Sequence, residues 1–268
     1  MDRKKITIQN LASMYEAGDK ISMITAYDYP SAVIADEAGI DVILVGDSLG
    51  MVINGYKNTL PVTLDEIIYH TKAVVRACRY SFVVADMPFL SYQTGIRDAI
   101  FNAGRLIKEG GAEAVKIEGG NNIQGTIKSI VDIDIPVMGH IGLTPQSIHR
   151  MGGYKVQGRD EVSRKLLIED AVAIQDAGAF SVVFEGMPSA LAKEITPRLH
   201  IPAIGIGAGI DVNGQVLVFH DILGLSSGKQ PTFVKQYANL KEIAVDAIKT
   251  YIKEVKDGVF PGLENTYK

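Results

Sequence analysis

A chain of 268 residues with 47% hydrophobic side chains can bury one large core, which excludes disordered and fibrous classes. Its net charge of −4, with 27 Lys and Arg scattered among 31 Asp and Glu, excludes nucleic acid and anionic membrane as default partners. The single Cys78 excludes an intramolecular disulfide, and no apolar run reaches the ~18 residues of a membrane span, so a soluble cytoplasmic protein is expected.

Ile8, Leu11, Met14 and Tyr15 recur at helical spacing and predict a helix over residues 7–18 that closes the bottom of the domain. Ile21–Thr25 reads as the first strand, and a helix follows from Pro30 through Ala38 to Gly39. The run Val42–Val45 is β-branched and apolar without alternation, as in a strand buried on both faces. It stops at Gly46, Asp47 and Ser48, and a long glycine-containing loop, Leu49–Pro61, is a candidate lid.

Thr63 and Glu66 form a capping box that opens a helix running to about Cys78. Strands are then predicted at Ser81–Val84, Ala114–Ile117, Ile135–Met138, Phe180–Phe184, Pro202–Ile206 and Gln215–Phe219. Helices alternate with them over about Thr94–Glu109, Asn122–Val131, Glu161–Ala177, Ser189–Leu199 and Val234–Val255, and Gly142–Arg159 is a second long loop. No linker or low-complexity segment interrupts the pattern. One (β/α)8 barrel over residues 1–268, with an added helix at each end, is the predicted fold, and a doubly wound sheet is the alternative.

Five of the apolar runs finish on an ionisable side chain: Asp47, Asp86, Glu118, His140 and Glu185. In a parallel sheet these converge at the carboxyl ends of the strands, where ligands bind. Asp47 and Asp86 suit Mg²⁺, which takes one or two carboxylates and completes its shell with water and substrate oxygens; the competing reading is that each caps the following helix. Lys116 shares a strand face with Glu118, and inside a barrel it needs an anion, either a substrate carboxylate or Glu118 in a structural pair. Glu185, in apolar company after FSVVF, suits a general base, against the reading of an ordinary solvated carboxylate. His140 could meet a substrate oxygen or be a satisfied structural group; His220 and Asp221 are read as structural, and the GIGAG run at 205–209 does not fit GxGxxG. The chemistry within reach is metal-assisted removal of a proton beside a carbonyl.

The segments GDSLGMVINGYKNTLPVTLDEIIYHTKAVVRA, VVADMPFLSYQ, AVKIEGG, GHIGLTPQSIHRMGGYKVQGR, FEGMP, IGIGAG and VLVFHDILGL resemble, in order, the motifs of the ketopantoate hydroxymethyltransferase family, from about Thr25 to Tyr237. The sequence departs from the family pattern at Leu90, where glycine is frequent, and at Phe219, where tryptophan is common. The resemblance implies a Mg²⁺-dependent barrel of the phosphoenolpyruvate/pyruvate type. Its reaction would carry the one-carbon unit of 5,10-methylenetetrahydrofolate to 3-methyl-2-oxobutanoate, giving 2-dehydropantoate for pantothenate biosynthesis. It further implies Asp47 and Asp86 as direct Mg²⁺ ligands and Glu118 in the metal's shell, through water. Ser48, Asp86 and Lys116 would contact the 2-oxoacid, with Asp47 and His140 beside it, and Glu185 would take the C3 proton. A homodecamer, with the carboxyl-terminal helix on a neighbouring subunit, is implied as well. A Mg²⁺-dependent 2-oxoacid carbon–carbon lyase of the same barrel group is the alternative enzyme, although such lyases carry a loop cysteine and Cys78 falls in a predicted helix. A non-catalytic binding barrel is the other alternative.

Overall fold

The computed structural model describes residues 3–228 and 230–267, and the chain divides into two compact units, Met1–Val218 and Phe219–Lys268. The first holds a closed barrel of eight parallel strands, β1 Ile21–Thr25, β2 Val42–Val45, β3 Phe82–Asp86, β4 Ala114–Glu118, β5 Val137–Gly142, β6 Ser181–Glu185, β7 Ala203–Ile206 and β8 Gly214–Leu217. Each strand pairs with its sequence neighbour and β8 returns to β1, so no edge is left unpaired. The predicted barrel and its strand order are both found.

The helices form where local signals place them. α1 (Ile8–Ala17) starts on a capping box between Thr7 and Asn10, and its Leu11 packs into the barrel floor with Ile21, Met23, Val42 and Phe82. α2 (Tyr29–Ala38) is capped by Asp28, whose carboxylate accepts from Ser31 N at 2.7 Å. A short α3 (Leu49–Val52) begins the long loop read as a lid, and α4 (Leu64–Ala77) opens on the expected Thr63–Glu66 box. α5 (Ile96–Arg105) continues into one wider turn, Leu106–Gly110, and α6 spans Gln124–Val131. The second long loop carries α7 (Ile148–Met151), and α8 (Glu161–Asp176) and α9 (Ser189–Ile195) complete the unit.

The register inside the barrel decides what the mouth contains. Side chains alternate along a strand, so residues two apart face the same way. Phe82 and Val84 face the apolar interior, and Asp86 is the next in that series. Ala114 leads likewise to Lys116 and Glu118, Met138 to His140, and Val183 to Glu185. The ionisable residues are therefore the top layer of the barrel interior, stacked on apolar layers below.

Three sequence expectations are corrected. β5 does not stop at Met138 but runs to Gly142, paired through His140 and Gly142 with Glu118 of β4 and Glu185 of β6. Gly139, within this longer strand, is a close-approach residue, since a Cβ there would lie 2.5 Å from Ile174 of α8. Strand eight ends at Leu217 rather than Phe219, which instead opens α10 (Phe219–Ile222). The last helix begins at Leu240, not Val234, as α11 (Leu240–Lys256), because Tyr237 N and Leu240 N bond back to Ile222 O and Leu223 O.

Candidate active site

Asp47 lies one turn beyond β2, and its backbone N–H donates to Asp86 Oδ2 at 2.9 Å, which brings the two aspartates together. Gly46 permits this approach, since a Cβ there would sit 2.9 Å from Ser48 Oγ and 3.3 Å from Asp86 Oδ2. Neither aspartate caps a helix: Ser48 and Gly95 hold the cap positions of α3 and α5, without side-chain cap bonds. Asp86 Oδ1 lies 2.7 Å from Lys116 Nζ, yet it is buried without a well-aligned hydrogen bond. The counter-ion of Lys116 is thus Asp86 rather than Glu118, which stands 4.0 Å away.

Glu118 meets His140 on one side, 3.5 Å from Nδ1, and accepts from Gln146 N at 3.0 Å on the other. His140 Nε2 lies 3.1 Å from Glu185 Oε2, so the Glu185 carboxylate meets an imidazole and not the apolar surroundings read from FSVVF. Ser48 Oγ is held by Tyr27 Oη at 2.8 Å. Asp47, Asp86, Lys116, Glu118 and His140 are all at least nine-tenths buried, whereas the Glu185 side chain keeps 15% of its surface open.

The charges are unbalanced. Burial, then Lys116, pull the His140 pKa down, but hydrogen bonds to Glu118 and Glu185 outweigh them and push it up to about 9. Its Nδ1 is also 3.3 Å from Lys116 Nζ, and with both ring nitrogens protonated that neighbour is a like charge, so the proton serves Glu118. Glu118 itself is held below the usual carboxylate range: burial raises it, and His140, Lys116 and the Gln146 N–H lower it further. Asp47 is pushed well above that range by burial and by the charges of Asp86 and Glu118. Asp86 is raised by burial despite Lys116. Four carboxylates face two cations here, leaving two negative charges in excess when all are ionised.

That excess, with two aspartates brought together, fits a divalent cation. No three His, Cys, Asp or Glu side chains among the described residues come together as a complete metal cage. Asp47 and Asp86 as a two-carboxylate Mg²⁺ site, finished by water and substrate, match what is present.

Sequence reasoning missed Gln146 and Tyr92. Gln146 Nε2 donates to Asp47 Oδ2 at 2.9 Å and to Met87 O at 3.0 Å, and its Oε1 lies 2.8 Å from the Tyr92 hydroxyl. Gln146 is neutral and carries no pKa signal; only its place in GLTPQS, one residue after proline, sets it apart. Above the mouth, Tyr154 of the second loop reaches Met51 of the first, Oη to Sδ 3.5 Å. Burial and the charges of Glu185, Asp47 and Glu118 raise its pKa, so the tyrosine overhangs the acids. Cys78, at the carboxyl end of α4, precedes β3 and so belongs to the opposite end of the barrel. Asp221 of α10 accepts from Ser226 Oγ at 2.5 Å, a local tie of the second unit.

The ketopantoate hydroxymethyltransferase family model matches residues 5–263. A protein of Geobacter metallireducens named 3-methyl-2-oxobutanoate hydroxymethyltransferase is 61% identical, over 97% of each chain. One of the same name from Moorella thermoacetica is 57% identical over 99% of each. Among solved structures, phosphonopyruvate hydrolase in complex with oxalate and Mg²⁺ superposes with a TM-score of 0.63 at 13% identity, covering 97% of this chain and 93% of that one. A 2,3-dimethylmalate lyase of the PEP mutase/isocitrate lyase superfamily gives 0.62 at 18%, covering 97% and 91%. At such identities these two likenesses speak for the barrel alone.

Proposed function

The chain belongs to the ketopantoate hydroxymethyltransferase family, and we propose that it hydroxymethylates 3-methyl-2-oxobutanoate with Mg²⁺ as cofactor and 5,10-methylenetetrahydrofolate as one-carbon donor. The observation that carries this is the top layer of the barrel: Asp86, Lys116, Glu118, His140 and Glu185 in one inward register, with Asp47 against Asp86. Asp47 and Asp86 would hold the Mg²⁺, with Glu118 in its shell through water, and the bound cation would draw electron density from the oxoacid's carbonyl oxygen.

The chain's own groups do the rest. Lys116 neutralises the substrate carboxylate, and Ser48, fixed by Tyr27, donates to it. His140 Nε2 lies 3.1 Å from Glu185 Oε2 and fixes the direction in which that carboxylate points. Glu185 is the most open acid of the group and takes the C3 proton, a step worth roughly 10²–10⁴-fold as general base catalysis. The enolate carbon then bonds to the methylene carbon of the folate as one of its two carbon–nitrogen bonds breaks. The second carbon–nitrogen bond gives way to water, which supplies the hydroxyl oxygen of 2-dehydropantoate, and the C3 proton and a water proton pass to the two folate nitrogens. The Tyr154–Met51 contact bridges the two long loops over this chemistry and lets them exclude bulk water.

A cytoplasmic homodecamer completes the reading. Ile243, Ile248, Tyr251 and Val255 of α11 are exposed apolar side chains that a neighbouring copy would cover. Among the described residues no helix is long and apolar enough to cross a membrane. The test is mass-spectrometric detection of 2-dehydropantoate from 3-methyl-2-oxobutanoate, with each component omitted in turn. Product that forms without the folate donor, or none with all components present, overturns the assignment.

A further inference from the structure

Gln146 is buried and uses its hydrogen-bonding capacity almost entirely on the acids of the mouth and their support. Its Nε2 donates to Asp47 Oδ2 (2.9 Å) and Met87 O (3.0 Å). Its Oε1 faces the Tyr92 hydroxyl (2.8 Å) and Gln93 Nε2 (3.3 Å). Its backbone N–H donates to Glu118 Oε2 at 3.0 Å. Met87 O can only accept, so it settles which end of the amide faces Asp47: the group there is an N–H donor.

We propose that Gln146 is a positioning residue for the cation site, locking Asp47 by one oxygen and Glu118 by another so that the remaining oxygens face the metal. The inference rests on the Mg²⁺ reading of the site. A single residue ties acids that β2 and β4 deliver from different parts of the chain, and through Met87 it grips the end of β3 as well. The donor is neutral, which matters. It fixes Asp47 Oδ2 without supplying the positive charge that would compete with a cation for the carboxylate. Lys116 already does that to Asp86, and a second ammonium at Asp47 would halve the charge excess on which cation binding depends. Tyr92 acts one step further out: its hydroxyl is 2.8 Å from Gln146 Oε1 and 2.9 Å from Glu118 O, so it holds both the amide and the strand end in place. Partners of this kind behind metal ligands affect affinity by about 10–100-fold.

The test compares the parent with Gln146→Met, close in volume and without the donor, and with Tyr92→Phe. Mg²⁺ binding is measured by calorimetry on metal-free protein, alongside kcat and the KM for 3-methyl-2-oxobutanoate at saturating Mg²⁺. Gln146→Met is expected to raise the Mg²⁺ dissociation constant by about 10–100-fold, with kcat at saturating metal changed far less. Tyr92→Phe should shift it in the same direction by a smaller factor. A merely structural glutamine would lower the melting temperature and leave the metal constant where it was. Metal binding within twofold of the parent in Gln146→Met overturns the proposal, and if that variant does not fold, unchanged binding in Tyr92→Phe overturns it instead. Absence of Mg²⁺ binding by the parent is a different failure, that of the metal reading itself.

Discussion

Two regions of the barrel bury aspartates in opposite ways. Below the strands, Asp36 of α2 accepts four hydrogen bonds: from Ser81 N (2.7 Å), Ser81 Oγ (2.8 Å) and Tyr80 N (3.1 Å) on Oδ1, and from Arg79 N (3.0 Å) on Oδ2. Burial raises its pKa, but the Ser81 and Arg79 donors more than compensate and hold the carboxyl below its ordinary value. Above the strands, Asp47 receives one side-chain donor and Asp86 keeps a buried oxygen without an aligned partner, and both are raised. A carboxylate whose lone pairs are filled stabilises the fold. One left underfilled is stored for a ligand, at a cost to the empty protein.

The same chemical swap should therefore do opposite things at the two ends. Asp47→Asn is expected to reduce hydroxymethyl transfer by at least about 10²-fold, because a site of two carboxylates loses one. In metal-free protein at pH 7 it should leave stability unchanged or raise it, as measured by urea unfolding. The sign follows from the raised pKa: ionising Asp47 is harder in the folded chain, so its cost is absent below about pH 3.8 and grows above it. Mg²⁺ should raise the melting temperature of the parent and not of this variant.

Asp36→Asn turns an acceptor into a donor facing backbone N–H groups and should cost about 2 kcal/mol, with kcat retained. For a chain of this size that is a fall in melting temperature of roughly 4–8 °C. Its pH dependence is the reverse: the depressed carboxyl contributes stability above about pH 3.8 that is lost as pH falls through its lower folded value. If both variants lose equal stability at pH 7, the contrast between the two ends is wrong.

The barrel was legible in the sequence because most strands are short apolar runs and α1, α2, α4 and α8 open on side-chain caps. The mouth was legible because ionisable residues follow those runs. What the residues alone could not give was register: that Phe82 and Val84 continue to Asp86 on the inward face, or that β5 passes through Gly139 to reach His140. Neutral groups were illegible for a different reason. Gln146 has no titration and no motif chemistry, and its role exists only once β2, β3 and β4 are side by side. Nothing in the sequence around Asp36 marks it, since its donors lie more than 40 positions away.

The smallest effect concerns the loop beside Asp86. Leu90 adopts φ 65°, the left-handed conformation that glycine reaches freely, and its side chain is more than half exposed. The leucine therefore occupies the conformation that a glycine there would take without strain. Leu90→Gly should change stability by no more than about 1 kcal/mol, because relief of strain offsets added freedom of the unfolded chain. Metal binding should be unchanged. A larger loss would mean that the side chain at 90 shapes the mouth.

The most direct test of the central claim is proton exchange at C3 of 3-methyl-2-oxobutanoate in D₂O, followed by NMR without any folate. The account predicts exchange with Mg²⁺, none with chelator, and a loss of about 10²–10⁴-fold in Glu185→Gln with the exposed Lys193→Gln as control. Exchange that persists in Glu185→Gln, or that proceeds equally well in chelator, would contradict it.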